Sequence, residues 1–173
     1  MESCQKYSVI SSFIIPWILG LGCKTPTEAK KYIKNGNNFN NSYDKENIVG
    51  LFDENNIEPD LTEIVGENVY EPWNFFSGIY KIKINEKLRL IARPNGVTKN
   101  NECVVMIDDY LVKFNSDIEE EIKIKLLSTM AVWKAKKGVY IIVRIQKIIK
   151  INFDNHKWKY ILNEIKLWSK TIQ

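Results

Sequence analysis

The sequence predicts an α/β (α+β) domain, a central mixed β-sheet flanked by helices, and three observations predict it. Ile79 to Ile84 (IYKIKI) alternates apolar and polar residues at period two, and Leu88 to Ala92 follows as a second such run; the pair reads as a hairpin. Cys103 to Asp108 (CVVMID) is apolar at successive positions, as expected of a central strand covered on both faces. Segments with helical spacing stand at both ends of the chain, so strands occupy the middle and helices the outside.

At 173 residues, 45% apolar and 27% charged, the chain can bury one core of several helices around a sheet, and residues 1–173 read as one domain. No internal repeat and no Pro- or Gly-rich linker divides it. A net charge of +4 permits a polyanionic partner without requiring one. Heavy use of Lys, Asn and Ile suggests an AT-rich genome and carries no information on fold. Cys4, Cys23 and Cys103 are odd in number and lack metal-type spacing, which argues against a disulfide framework, and the single His156 excludes most zinc and histidine-dependent sites. The expected setting is reducing and intracellular: the cytoplasm or nucleus of a host cell, or a virion. Val9 to Leu21 has the look of a signal-peptide core, but Glu2 precedes it beside Lys6, Pro16 interrupts it, and it is too short to span a membrane. A buried helix is the preferred reading, and no membrane contact is expected.

In chain order, the first helix is expected over Ser8 to Leu19, kinked at Pro16 and stopped by Gly20-Leu21-Gly22. Thr25-Pro26-Thr27-Glu28 is a helix start: Thr25 caps, Pro26 suits the first helical position and Glu28 completes a capping box, with the helix running to Lys34 and ending at Asn35-Gly36. A polar loop over Asn37 to Asp44 leads to a helix over Lys45 to Asn56. Glu58 to Glu71 reads as a short helix and then a loop. Asn85-Glu86 turns the hairpin. Ser116 is expected to cap a helix running to Ala135, with Asp117, Glu119, Glu120 and Glu121 at its positive end and Gly138 as its breaker. Val139 to Ile145 is a strand that pairs with Lys147 to Phe153, and Asp154 caps a last helix carrying Trp158, Ile161, Leu162, Ile165 and Trp168.

The chemistry-bearing stretch is Ala92-Arg93-Pro94-Asn95-Gly96-Val97 with the strand from Cys103. Its order of parts resembles the lambda-exonuclease-like nucleases, the YqaJ-type viral recombinases of the PD-(D/E)XK superfamily. The likeness rests on Ser8 to Ser12, Leu19 to Ala29 (LGLGCKTPTEA), Gly50-Leu51-Phe52-Asp53-Glu54, Pro94-Asn95-Gly96 and Leu126 to Tyr140 (LLSTMAVWKAKKGVY). It covers most of the chain, each piece being weak alone, and implies a restriction-endonuclease-like fold.

Such enzymes cut phosphodiesters with one or two magnesium ions, which favour anionic oxygen ligands, while a lysine orients the water. The resemblance therefore asks for a helical glutamate, an aspartate in Pro-Asp-Gly and Glu-x-Lys on the next strand. Glu54 fits the first; Asn95 stands at the second; Val105 and Ile107 stand at the glutamate and the lysine, and a slip of one residue gives Met106 and Asp108 instead. The ligand charge falls from about −3 to about −1. Leu127 or Thr129 occupies the neighbourhood of a polar helix residue, commonly Gln. Taken singly, Glu54 is as readily a surface glutamate, Pro-Asn-Gly an ordinary turn, and Val105 and Ile107 what any buried strand prefers.

The sequence reading is thus a catalytically inactive relative, neither enzyme nor cofactor binder, of viral or mobile-element origin and kept as a DNA-binding or assembly component. The alternatives are an active magnesium-dependent exonuclease whose carboxylates have moved to Asp108, Asp109, Glu102 and Glu54, and a virion or partner-binding protein without nucleic-acid contact. Lys134, Lys136, Lys137, Arg144, Lys147 and Lys150, interleaved with Trp133 and Tyr140, are the candidate contacts to double-stranded DNA. The resemblance also implies self-association or a viral protein partner.

Overall fold

The computed structural model describes residues 8–22, 24–34, 61–70, 81–108 and 114–172. Two sheets organise them. The smaller has the order β1-β4-β3, with β1 (Ser8–Ser11) parallel to β4 (Leu88–Ile91), which pairs antiparallel with β3 (Lys81–Asn85). The larger has the order β2-β5-β6-β7-β8: β2 (Val69–Tyr70), β5 (Gly96–Thr98), β6 (Cys103–Asp108), β7 (Lys137–Ile142) and β8 (Lys147–Asn152). Only β6 and β7 run parallel in it, joined by the helix Ser116–Trp133 as a crossover. The expected mixed sheet and flanking helices are therefore present, divided into two sheets.

The expected first helix is corrected most. Ser8 to Ser11 is a strand, because Val9 and Ile10 suit a pleated surface and the edge of Leu88–Ile91 offers it a ladder. Ser11 Oγ then accepts the Phe13 N–H at 3.2 Å and starts a 3-10 turn, Ser12–Ile14. The helix proper, α1, is only Ile15–Ile18, and Pro16 lies in its first turn, where its missing N–H costs nothing, rather than at a kink. Helix α2 (Pro26–Lys34) begins as expected: the Thr25 N–H donates to Glu28 Oε2 at 2.8 Å and the Glu28 N–H to Thr25 Oγ1 at 3.3 Å. These bonds hold the Glu28 carboxyl below its ordinary range.

The short helix expected after Glu58 is α3 (Leu61–Val65), and the loop expected behind it contains β2, which pairs with β5. The β3–β4 turn lies at Glu86-Lys87, with Asn85 Oδ1 accepting the Lys87 N–H at 2.8 Å. Helix α4 (Ser116–Trp133) is capped by Asn115, not Ser116, since Asn115 Oδ1 accepts the Ile118 N–H at 2.9 Å. It ends on Lys134 in the left-handed region (φ 57°), so Gly138 is not its breaker. Gly138 sits inside β7, where a Cβ would lie 2.7 Å from Leu126 Cγ and Met130 Sδ; its bareness lets α4 press on the sheet. Strand β7 stops at Ile142, short of the expected Ile145. Helix α5 (Asn155–Ser169) has the expected cap, Asp154 accepting from the His156 and Lys157 N–H groups, each at 2.9 Å. The expected loop over 37–44 and helix over 45–56 lie outside the described residues.

The main core lies between α4 and one face of the sheets, where Val104, Met106, Tyr140 and Ile142 meet Leu126, Met130 and Trp133, and Ile10 and Leu90 extend it. The Trp133 indole N–H donates to the Ala92 carbonyl at 3.0 Å, fastening the segment that leads to Pro94-Asn95-Gly96. The opposite face carries a second apolar cluster: Cys103, Val105, Val139 and Ile141 under Leu61, Ile64, Val65 and Val69. None of the described helices is long and apolar enough to cross a membrane.

Candidate nuclease site

Register places the candidate positions Val105 and Ile107 on that second face. Directly paired residues project to the same side of a sheet, so Gly96, Val105, Val139 and Lys150 form one row across four strands. Ile107, Ile141 and Ile148 form the next. Val105 and Ile107 thus share one face, as the spacing argument requires, and at Val105 that face is packed shut. Val105 is fully buried, and Val69 crosses over Gly96 so closely that a Cβ there would meet Val69 Cγ1 at 2.4 Å.

Asn95 is committed to the backbone. Its N–H donates to the Val105 carbonyl at 2.9 Å, and its Oδ1 accepts the Ile107 N–H at 2.8 Å. The side-chain oxygen continues the ladder where the main chain turns away. The one-residue slip fares no better at Met106, which faces the other core with its sulfur 3.5 Å from Thr129 Oγ1. Leu127 is buried. Thr129 is buried too, donating to the Lys125 carbonyl at 2.9 Å with its oxygen 3.0 Å from Ser12 Oγ.

Among the described residues, the candidate replacement carboxylates Asp108 and Glu102 do not share one place. Asp108, half-buried at the carboxyl end of β6, accepts a hydrogen bond on Oδ2 from the Tyr140 hydroxyl at 2.8 Å. Glu102 precedes the other end of that strand, about 20 Å away at ~3.3 Å per residue. There it pairs with Lys136 at 2.7 Å, a hydrogen bond that holds its carboxyl below the ordinary range. Glu54 and Asp109 lie outside the described residues. Among the described residues, no group of three His, Cys, Asp or Glu side chains is placed to hold a metal ion. Asn95, Val105 and Ile107, where the resemblance asks for ligands and a lysine, do not fit a divalent ion. Cys103 is buried, and burial, reinforced by Glu67, pushes its thiol up to about 11.

The basic residues separate into groups. Lys134, Lys136 and Lys137 stand where β7 begins, and Arg144 and Lys147 flank the turn at its far end. Lys147 lies 4.4 Å over the Phe114 ring and 3.6 Å from Glu119, on the α4 side. Lys137 and Lys150 share the opposite face, where the Lys150 ammonium donates to the Ile64 carbonyl at 2.7 Å. Two features escaped sequence reasoning. One is Tyr140 as the partner of Asp108, which only register discloses. The other is an ion pair, Glu121–Lys125 at 2.8 Å, whose side chains are 13% and 8% exposed; its i,i+4 spacing was visible, its burial was not.

The fold is the lambda-exonuclease-like form of the PD-(D/E)XK architecture. Among solved structures the chain is similar to an alkaline exonuclease from Laribacter hongkongensis (TM-score 0.59, 13% identity, 94% of this chain and 87% of that one). The same exonuclease in complex with dAMP gives a TM-score of 0.61 at 12% identity. A phage-related exonuclease from Haemophilus somnus is similar over 96% of this chain and 94% of its own (TM-score 0.54, 12% identity). No family model and no curated protein matches the sequence. Two expectations are corrected by these likenesses. The non-enzymatic reading gives way, because the similar structures named here are exonucleases and the fold is that of an enzyme class. The cofactor-free reading rested on it and falls with it.

Proposed function

We propose that the protein is a DNA-directed nuclease in which Asp108 supplies a carboxylate that the inherited positions lack. The observation that carries this reading is the placement of Asp108: half-buried, at the carboxyl end of the central strand, with Oδ2 accepting from the Tyr140 hydroxyl. A carboxylate held in this way is pre-oriented, which a solvent-tethered strand-end acid is not. The sequence offers two more acids for the same set, the adjoining Asp109 and Glu54. Double-stranded DNA is the proposed substrate, in keeping with the exonuclease fold and with a similar structure that holds dAMP. Lys147 is the proposed backbone contact, since Asp108, Ile142 and Lys147 are paired in one row across β6, β7 and β8.

The test is degradation of end-labelled linear duplex in magnesium or manganese, comparing wild type with Asp108→Asn, which keeps an acceptor for Tyr140. Wild-type cleavage reduced by about 100-fold or more in the variant is expected. Equal cleavage by both proteins, or none by the wild type with either metal, refutes the assignment.

A further inference from the structure

Asn95-Gly96 joins an amide side chain to the one residue type whose backbone nitrogen has no side chain beside it. The structure shows why Gly96 must be bare, Val69 covering it, and it also shows what touches the amide: the Ile107 N–H donates to Asn95 Oδ1 at 2.8 Å. A donor on that oxygen draws electron density from the side-chain carbonyl carbon and stabilises the negative charge that gathers on the oxygen when a nucleophile adds. The nucleophile that closes a five-membered ring on that carbon is the Gly96 nitrogen.

We propose that Asn95 is a self-modification site, converting from amide to acid with the Gly96 nitrogen as nucleophile and the Ile107 N–H as oxyanion donor. The Gly96 nitrogen adds to Asn95 Cγ and gives up its proton. The bond from Cγ to Nδ2 breaks, ammonia departs with that proton, and a five-membered cyclic imide remains. Water then opens the imide at either carbonyl, giving aspartate or its isomer with the backbone routed through the side chain. The net change is amide plus water to acid plus ammonia, with no oxidant or reductant. The aspartate product keeps its oxygen on the Ile107 N–H as a charge-assisted bond, so the fold accepts it, and a negative charge is gained against the Ile107 N–H, whose residue adjoins Asp108 in the chain. The isomer displaces the side chain and loses that bond.

Incubation of the folded protein in mildly alkaline buffer, followed by digestion and mass spectrometry, reads the conversion directly and independently of DNA cleavage. The expected result is a growing fraction of the Asn95 peptide carrying the amide-to-acid mass gain, absent from Asn95→Gln, whose longer side chain closes a larger ring. Co-migration of the main product with the peptide from Asn95→Asp identifies aspartate. An Asn95 peptide that stays intact in the folded protein, over a period in which the same excised peptide converts fully, overturns the proposal.

Discussion

Asn95 illustrates how one atom changes the meaning of a motif. Read in the chain, Pro94-Asn95-Gly96 is a turn that keeps an oxygen and loses a charge; in the fold that oxygen is already occupied by the Ile107 N–H. The spacing argument that placed Val105 and Ile107 on one face holds, because alternation along a strand is a local property. The bond from Tyr140 to Asp108 was illegible, since it joins strands whose register is set by packing rather than by neighbours in sequence. The separation of Glu102 from Asp108 needed only a count, but the count has meaning once the intervening residues are known to be extended. A prediction belongs at this scale. Asn95→Ala leaves a half-buried N–H without its acceptor and should lower unfolding free energy in urea by about 1–2 kcal/mol, while Asn95→Asp should retain it.

Among elements, those with a local chemical signal were legible: the capping box at Thr25, the Asp154 cap and the alternation of β3 and β4. Those decided by distant partners were not. Strand β1 read as helix because a short apolar run has no period of its own, and β2 and β5 are too short to show one. The Asp154 cap carries a pH dependence. Its carboxyl is held below the ordinary value of 3.8 chiefly by the Lys157 N–H. A depressed carboxyl contributes fully above its unfolded value, and that contribution disappears as pH falls through the folded value. Thermal unfolding should therefore show the wild type losing ground to Asp154→Asn on acidification below the ordinary value, with the two close near neutrality because asparagine caps as well. Parallel curves at every pH would contradict this.

Across the whole molecule, the order of strands and helices was enough to suggest a nuclease fold, and the similar exonucleases bear that out at 12–13% identity. Function was less legible. The apolar row at Val105 and Ile107 suggested a protein without enzymatic work, whereas the fold is similar to that of solved exonucleases, and what a fold retains of its chemistry is decided by a few side chains. Charge was read as one cluster, yet the hairpin holds Lys134, Lys136 and Lys137 apart from Arg144 and Lys147. Binding to duplex DNA should weaken steeply with salt, and Lys147→Ala should lower the slope of log affinity against log salt by about one without sequence preference. A slope unchanged by that substitution would remove Lys147 from the interface.

The parallel pairing of β1 with β4 sets Ser8 beside Leu88, eighty residues further along the chain. During synthesis the first strand leaves the ribosome alone, and its partner follows only after about 4–16 s at ordinary rates of elongation. Through that interval Val9, Ile10 and the apolar turn behind them have no sheet to join. They are a natural resting place for a chaperone, and a fragment that stops short of Leu88 should be the form of this protein most prone to aggregate.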